Sequence, residues 1–297
     1  MTSRVFVAGA TGVLGRRVVP ALLAAGCEVT ANVRDDEARR AAEAAGARTA
    51  TVDLFDLAAT ARLADDHDTV VNIATAIPTG TSAAFRRGWR TNDRIRSEAS
   101  ANLAGSMAAS GRRYIGESTT FPYVDSGDAW VDETAACAYF WGNESCRDAE
   151  AAAHAVTEAG GVGVALRFAM FFAADSAHVE HIRALARRGL FALPGSANDI
   201  MSWIHVDDAA AAVVAAIRAP AGIYNVAESD PAPRGSHAVA LARSVGRERL
   251  RVMPAGAVRI AGESIESLAR AQRISSNRLT EATGWSADHD VVGMWHH

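Results

Sequence analysis

Residues Arg4-Val5-Phe6-Val7-Ala8-Gly9-Ala10-Thr11-Gly12-Val13-Leu14-Gly15 decide the fold. A short apolar run ends at Gly9, glycines follow at positions 12 and 15, and helical spacing then runs from Val13 to Ala25 and stops at Gly26. Read as strand, turn and helix, each glycine has a task. Gly9 allows the tight turn, Gly12 lets the backbone approach a pyrophosphate, and Gly15 lets helix and strand pack closely. The freed backbone N–H groups and the helix dipole then attract phosphate. This reading assigns Gly9, Thr11, Gly12, Val13, Leu14 and Gly15 to a dinucleotide-binding loop.

Working outward, the same alternation repeats. Strands are expected at Glu28–Val33, Arg48–Val52, Asp68–Ala74, Arg112–Glu117 and Val162–Phe168. Between them lie helical patterns at Asp35–Ala45, Arg90–Ser110 and Glu144–Ala159. Alternation of this kind implies right-handed βαβ crossovers and an α/β fold of Rossmann type, a doubly wound parallel sheet. Thr119–Phe140 carries Pro, Gly, Asp and aromatics and reads as a loop. Beyond Phe172 the pattern mixes short pieces: helices near His181–Arg188, Asp207–Arg218, His237–Val245 and Asn277–Thr283, and strands at Trp203–Val206 and Ile223–Val226. We therefore expect a dinucleotide-binding domain at 1–172 and a smaller mixed α/β substrate lobe at 173–297, with a soft, interleaved boundary.

The 297 residues are 49% hydrophobic and 22% charged, enough for a large core and too apolar for disorder. Lys+Arg is 30 against 34 acidic residues, and every one of the 30 is arginine. Without lysine, no Schiff base and no Walker-A phosphate contact is possible. No basic block suggests nucleic acid, and no run reaches the ~18 apolar residues of a membrane span. The three cysteines, Cys27, Cys137 and Cys146, are odd in number and fit no zinc spacing. Cys27, at an expected strand start, reads as a buried free thiol. The N-terminus does not read as a signal peptide. A cytoplasmic protein is expected.

The second strand ends Ala31-Asn32-Val33-Arg34, with no carboxylate before Arg34. A carboxylate there would hold the ribose hydroxyls of NAD and repel a 2′-phosphate, whereas a guanidinium can clamp that phosphate. Arg34 therefore favours NADP, with Arg16 a second candidate contact. Asp35 and Asp36 leave NAD open.

The motifs GATGVLG, Asp53-Leu54, VVNIA, NDRIRSEASANL, LRFAMFF, SWIHVDDAA, GIYNVAE and RISSNRL…TGW together resemble an extended short-chain dehydrogenase/reductase of the NAD-dependent epimerase/dehydratase type. The resemblance implies that Asp53 and Leu54 flank the adenine and that Ala74 and Thr75 line the middle of the cofactor. It places Asn92 in a helix supporting the site, and implies a homodimer paired through the helices Arg90–Ser110 and Glu144–Ala159.

The resemblance breaks at the catalytic frame. Such enzymes use a Ser/Thr hydroxyl with a Tyr-x-x-x-Lys pair, in which the lysine lowers the tyrosine pKa. Spacing onto Tyr123 puts Thr119 in the hydroxyl role, with Ser118 beside it. Aligning Glu150 with the family glutamate puts Cys146 at the lysine position and Gly142 at the tyrosine position. Using Tyr139 instead puts Asn143 at the lysine position. Thr119, Tyr123 and Tyr139 are the catalytic candidates, with Glu117 a substitute acid and Arg147 a replacement charge. Trp130, Phe140 and Trp141 could form an apolar lid. Loops near Met170–Ala177, Leu190–Ser202 and Met253–Ser264 should line a small, partly hydrophobic substrate. His205 is expected to make a structural hydrogen bond rather than bind metal, with Asp207 or Asp208 capping the next helix. Two functions follow: an NADP-dependent oxidoreductase with a non-standard proton donor, or a non-redox isomerase, cyclase, lyase or cofactor-sensing binder on the same fold.

Overall fold

The computed structural model describes residues 3–78, 82–83, 85–109, 111–190, 194–250, 258 and 262–296. The expected wall loop Met253–Ser264 therefore falls mostly outside the described residues, as do positions 191–193 of the loop before it and Ser110 at the end of an expected helix.

The first half reads β1 (Arg4–Ala8), α1 (Gly15–Ala24), β2 (Glu28–Asn32), α2 (Asp36–Ala44), β3 (Arg48–Ala50), α3 (Leu57–Ala61), α4 (Leu63–Asp66), β4 (Thr69–Asn72), α5 (Arg86–Arg94), α6 (Ser100–Ser106) and β5 (Arg113–Thr119). There follow β6 (Trp130–Val131), α7 (Cys146–Glu158), β7 (Val162–Phe168), β8 (Met170–Phe172), α8 (Ala177–Arg187), β9 (Trp203–His205), α9 (Val206–Ala216), β10 (Gly222–Val226) and α10 (Arg234–Ser244). Helices Glu263–Ala269, Asn277–Thr283 and Val291–Met294 and strand β11 (Arg273–Ile274) close the chain.

Seven strands form one sheet in the order β10-β7-β5-β4-β1-β2-β3, every pair parallel. The central strands are buried along their whole length, as in β4, because helices cover both faces. The order reverses between β1 and β4, paired Ala8↔Asn72 at their carboxyl ends. That switch point opens the crevice in which such sheets bind ligands. β10, late in the chain, completes one edge of this sheet.

Four local outcomes differ from the sequence reading. The helix expected at Arg90–Ser110 starts at Arg86 and is interrupted by a π turn, Ile95–Ala99. The Ser100 hydroxyl bonds back to the Ile95 carbonyl there, 3.3 Å away. Two small parallel sheets pair β8 with β9 and β6 with β11; β9 falls within the strand expected at Trp203–Val206, whereas β6, β8 and β11 went unread because two or three residues carry no periodicity. Their region also holds an antiparallel bridge, Tyr123↔Cys137, inside the expected loop. The cap of α9 is His205, not Asp207 or Asp208. The helix begins at Val206, so both aspartates fall in its first turn, where they face the positive end of its dipole. Cys27 is only half-buried. Among the described residues, no helix is long and apolar enough to cross a membrane.

Candidate functional site

The glycine loop is built as its spacing requires. Gly9 has φ +87°, and a Cβ there would lie 2.6 Å from the Ala74 backbone nitrogen, so the β1 turn touches the strand end of β4. A Cβ on Gly15 would sit 2.1 Å from the Gly9 carbonyl, so α1 can start here only with glycine. At Gly12 a Cβ would meet nothing closer than 3.4 Å, and Thr11 and Gly12 are exposed. The open backbone over the α1 N-terminus is a cradle that fits a pyrophosphate.

Arg34 follows β2, is exposed, and forms no ion pair or hydrogen bond among the described residues. Asp35, by contrast, caps α2, its carboxylate accepting from the Ala38 N–H at 2.8 Å. Arg16 approaches Asp175 at 3.6 Å. Asp53 is exposed and turns its carboxylate to the Phe55 N–H, while the Leu54 carbonyl accepts from Asn102. Ala74 and Thr75 leave β4 beside Asn92, whose side-chain oxygen accepts from the Ala76 N–H at 3.1 Å.

β5 delivers Glu117, Ser118 and Thr119 to the same crevice, and α7 starts opposite them at Cys146. Thr119 ends the strand, 8% exposed, its hydroxyl accepting a long bond from the Phe121 N–H. Two buried ion pairs lie beneath. Arg96, turned inward from the π segment, donates to both oxygens of Glu117, the shortest contact being 2.8 Å, and its Nη1 reaches Cys146 Sγ at 3.1 Å. Arg167 of β7 grips Glu150 of α7 with two bonds of 2.7 Å, and Ser118 donates to the same carboxylate.

Tyr123 is shut into this network. Its hydroxyl donates to Asn225 at 2.8 Å and accepts from Arg167 at 2.7 Å, and the ring is 1% exposed. Burial, only partly offset by Arg167, pushes its pKa up to about 12. Tyr139 is half-buried with the Arg147 guanidinium 4.0 Å above its ring. Burial and the nearby Glu150 raise it also to about 12. Burial takes the Cys146 thiol to about 11 despite Arg96. Near neutral pH all three groups are protonated and uncharged. Phe140 and Trp141 pack edge to face, 5.6 Å between centroids, whereas Trp130 lies on β6 under Arg273. Glu117 is bound to Arg96 rather than presented as a free acid.

The residue pattern of the NAD dependent epimerase/dehydratase family matches residues 5–227. The chain belongs to that family. It is 32% identical over 304 residues to a protein of a Streptomyces species named 3-diazoavenalumate denitrifying reductase, covering 96% of each chain. It is 27% identical over 296 residues to an epimerase family protein of Mycobacterium bovis, covering 97% of this chain and 95% of that one. Among solved structures it is similar in fold to the human epimerase family protein SDR39U1 with NADPH, at TM-score 0.73 and 21% identity over 98% of this chain and 96% of that one. It is likewise similar to a Bacillus cereus UDP-glucuronic acid 4-epimerase in complex with NAD, at TM-score 0.74 and 15% identity over 99% and 96%.

Within an epimerase/dehydratase fold, Arg96 and Arg167 are the parts that sequence reasoning missed, while Glu150 served there only to set the alignment. The signal was present: Asn92, Arg96 and Ser100 recur every four residues, a polar row on a helix, and all three are buried. The family member also brings His289 to His205, where with Asp207 each could offer one metal-ligating atom. The two rings instead stack, 4.1 Å apart and 23° from parallel. In-plane lone pairs on stacked rings run side by side and do not converge at the ~2 Å reach of a metal–nitrogen bond.

Proposed function

We propose that this chain is an NADP-dependent reductase that delivers hydride to a small, partly hydrophobic electrophile without a tyrosine–lysine proton relay. The observation that carries this reading is Cys146 at the lysine position, locked against Arg96 and Glu117 in a network whose charges cancel. Arg167, the cation that reaches the tyrosines, does not offset their burial, so neither Tyr123 nor Tyr139 serves as a base for alcohol oxidation near neutral pH.

A bound reduced nicotinamide supplies the hydride. The protein's own part is to bind and orient. The glycine loop holds the pyrophosphate, Arg34 the 2′-phosphate, Asp53 and Leu54 the adenine, and Ala74 and Thr75 the middle of the cofactor. Thr119 touches the substrate at the end of β5, under the Phe140–Trp141 pair. Tyr139 donates a proton only to acceptors that need one, and Tyr123 serves by positioning Arg167. A homodimer paired through α5–α6 and α7 completes the reading.

The name of the Streptomyces relative supports a particular acceptor class, a diazo compound that loses nitrogen on reduction. In its diazonium form the carbon takes hydride, the C–H bond forms, and the C–N bond breaks with its electron pair leaving on N2. Atoms and charge balance with no proton from the protein, which suits a site without the relay. The test is turnover of an aryl diazo compound with cofactor deuterated at the transferring carbon. Deuterium should appear in the product at the carbon that carried nitrogen, with loss of the reduced cofactor's absorbance. Conversion without cofactor oxidation would move the chain to the non-redox class.

A further inference from the structure

The geometry points to a carboxylate-binding subsite in the C-terminal lobe, formed by Arg234, His237 and Trp203. Arg234 opens α10 and is 1% exposed. Its Nη1 donates to the Met201 sulfur at 3.1 Å and its Nη2 to the Arg270 carbonyl at 2.5 Å, but its Nε has no partner. No carboxylate pairs with it among the described residues. The acids that act on it electrostatically, Asp199 and Asp125, are committed to backbone N–H groups of Ser196, Gly127 and Ala271.

Two further donors stand beside it. His237, one helical turn on, accepts from the Trp295 indole at Nδ1, 3.1 Å away, so its proton is on Nε2, which is buried without a partner. Trp203, whose ring centroid is 5.5 Å from that of His237, has an equally unpartnered indole N–H. His237 and Trp203 are both fully buried. Three buried donors, one of them charged, therefore lack an acceptor among the described residues. Buried polar groups in native proteins are paired, and a buried charge above all. Burial lowers the Arg234 pKa to about 10 despite Asp199 and Asp125.

The surroundings select the acceptor. Phe172, Trp203 and Trp295 pack edge to face around the cluster at 4.9 to 6.4 Å. One cation in an aromatic setting matches one negative charge on an apolar body, an aryl-bearing carboxylate rather than a doubly charged phosphate. Gly195, at φ +115°, lies against Arg234 Nε: a Cβ there would come 2.6 Å from it, so any larger residue would crowd the donor. Phe121, two residues beyond Thr119, packs against this same core, and its carbonyl accepts from Arg270. The subsite thus adjoins the end of β5 and would seat the acidic end of the substrate. That last link rests on the reductase reading, whereas the binding itself does not.

The experiment is calorimetry and thermal unfolding of the full chain without cofactor, at fixed ionic strength, with 3-phenylpropanoate, its neutral amide and inorganic phosphate. The carboxylate should bind and raise the midpoint, the amide should do neither, and phosphate should bind more weakly. Arg234→Met should keep or raise the ligand-free midpoint and lose at least about tenfold in carboxylate affinity. Should that variant fail to fold, Trp203→Phe removes one donor and leaves the charge, and should weaken binding severalfold. Equal response to acid and amide, undiminished affinity in Arg234→Met, or unchanged affinity in Trp203→Phe would each overturn the assignment. A response to phosphate alone would overturn the carboxylate class. Because no turnover is read, failure here and failure of the reductase reading are separate results.

Discussion

Arg96 Nη1 rests 3.1 Å from Cys146 Sγ while the rest of its guanidinium grips Glu117, so one cation spans the start of α7 and the end of β5. Both partners of the ion pair are under one-tenth exposed. Arg96→Met would leave Glu117 buried and unpaired, which should cost about 3–5 kcal/mol in urea unfolding. Arg96→Met with Glu117→Leu removes both charges and should recover most of that loss. If the double variant were as unstable as the single one, the pair would matter through packing alone.

The cofactor reading turns on Arg34, exposed and unpaired beyond β2. Arg34→Ala should weaken NADPH binding by ~1.5–3 kcal/mol, the worth of hydrogen bonds to a charged group, and leave NADH within twofold. Calorimetric titration of both cofactors measures the difference. Unchanged NADPH affinity would remove the basis for the NADP preference.

Much of the sheet was legible because its strands are short, apolar and separated by helices: β1, the glycine loop and α2 all lie where their residue types place them. The π turn was not legible, because its inward Arg96 is held by Glu117, 21 positions away, and no local spacing reports that bond. The site divided the same way. The glycine loop is a local motif, whereas the Tyr123–Asn225 bond spans 102 residues and no spacing rule foretells it.

Glu228 makes stability depend on pH. Burial pushes its carboxyl up to about 8, although the Trp203 and Val291 N–H groups favour the charged form. The folded chain then keeps a proton that the unfolded chain has released above its ordinary value near 4.5. The stability this group contributes is complete below that value and is lost as pH rises toward 8. Glu228→Gln, which stays neutral, should flatten the curve over this window and stabilise the protein at pH 9 by on the order of 2–4 kcal/mol. Unfolding midpoints that fall equally with pH in both proteins would show that the carboxyl is ionised in the fold throughout.

The three hydroxyl candidates should separate by what each touches. Tyr123 is fully engaged with Asn225 and Arg167, so Tyr123→Phe should cost about 1–3 kcal/mol of stability by leaving buried partners unsatisfied, and change hydride transfer little. Thr119 is bonded only weakly, to the Phe121 N–H at 3.4 Å, and its hydroxyl remains available to a substrate. Thr119→Val should therefore lower the rate with folding intact. Tyr139→Phe should slow reduction of a carbonyl acceptor, which needs a proton, and spare a diazonium acceptor, which does not. Single-turnover loss of the reduced cofactor's absorbance, run with both acceptors, reads all three variants. A Tyr123→Phe protein that folds normally but transfers no hydride to either acceptor would return the catalytic role to Tyr123, with Arg167 as the cation that acts on it.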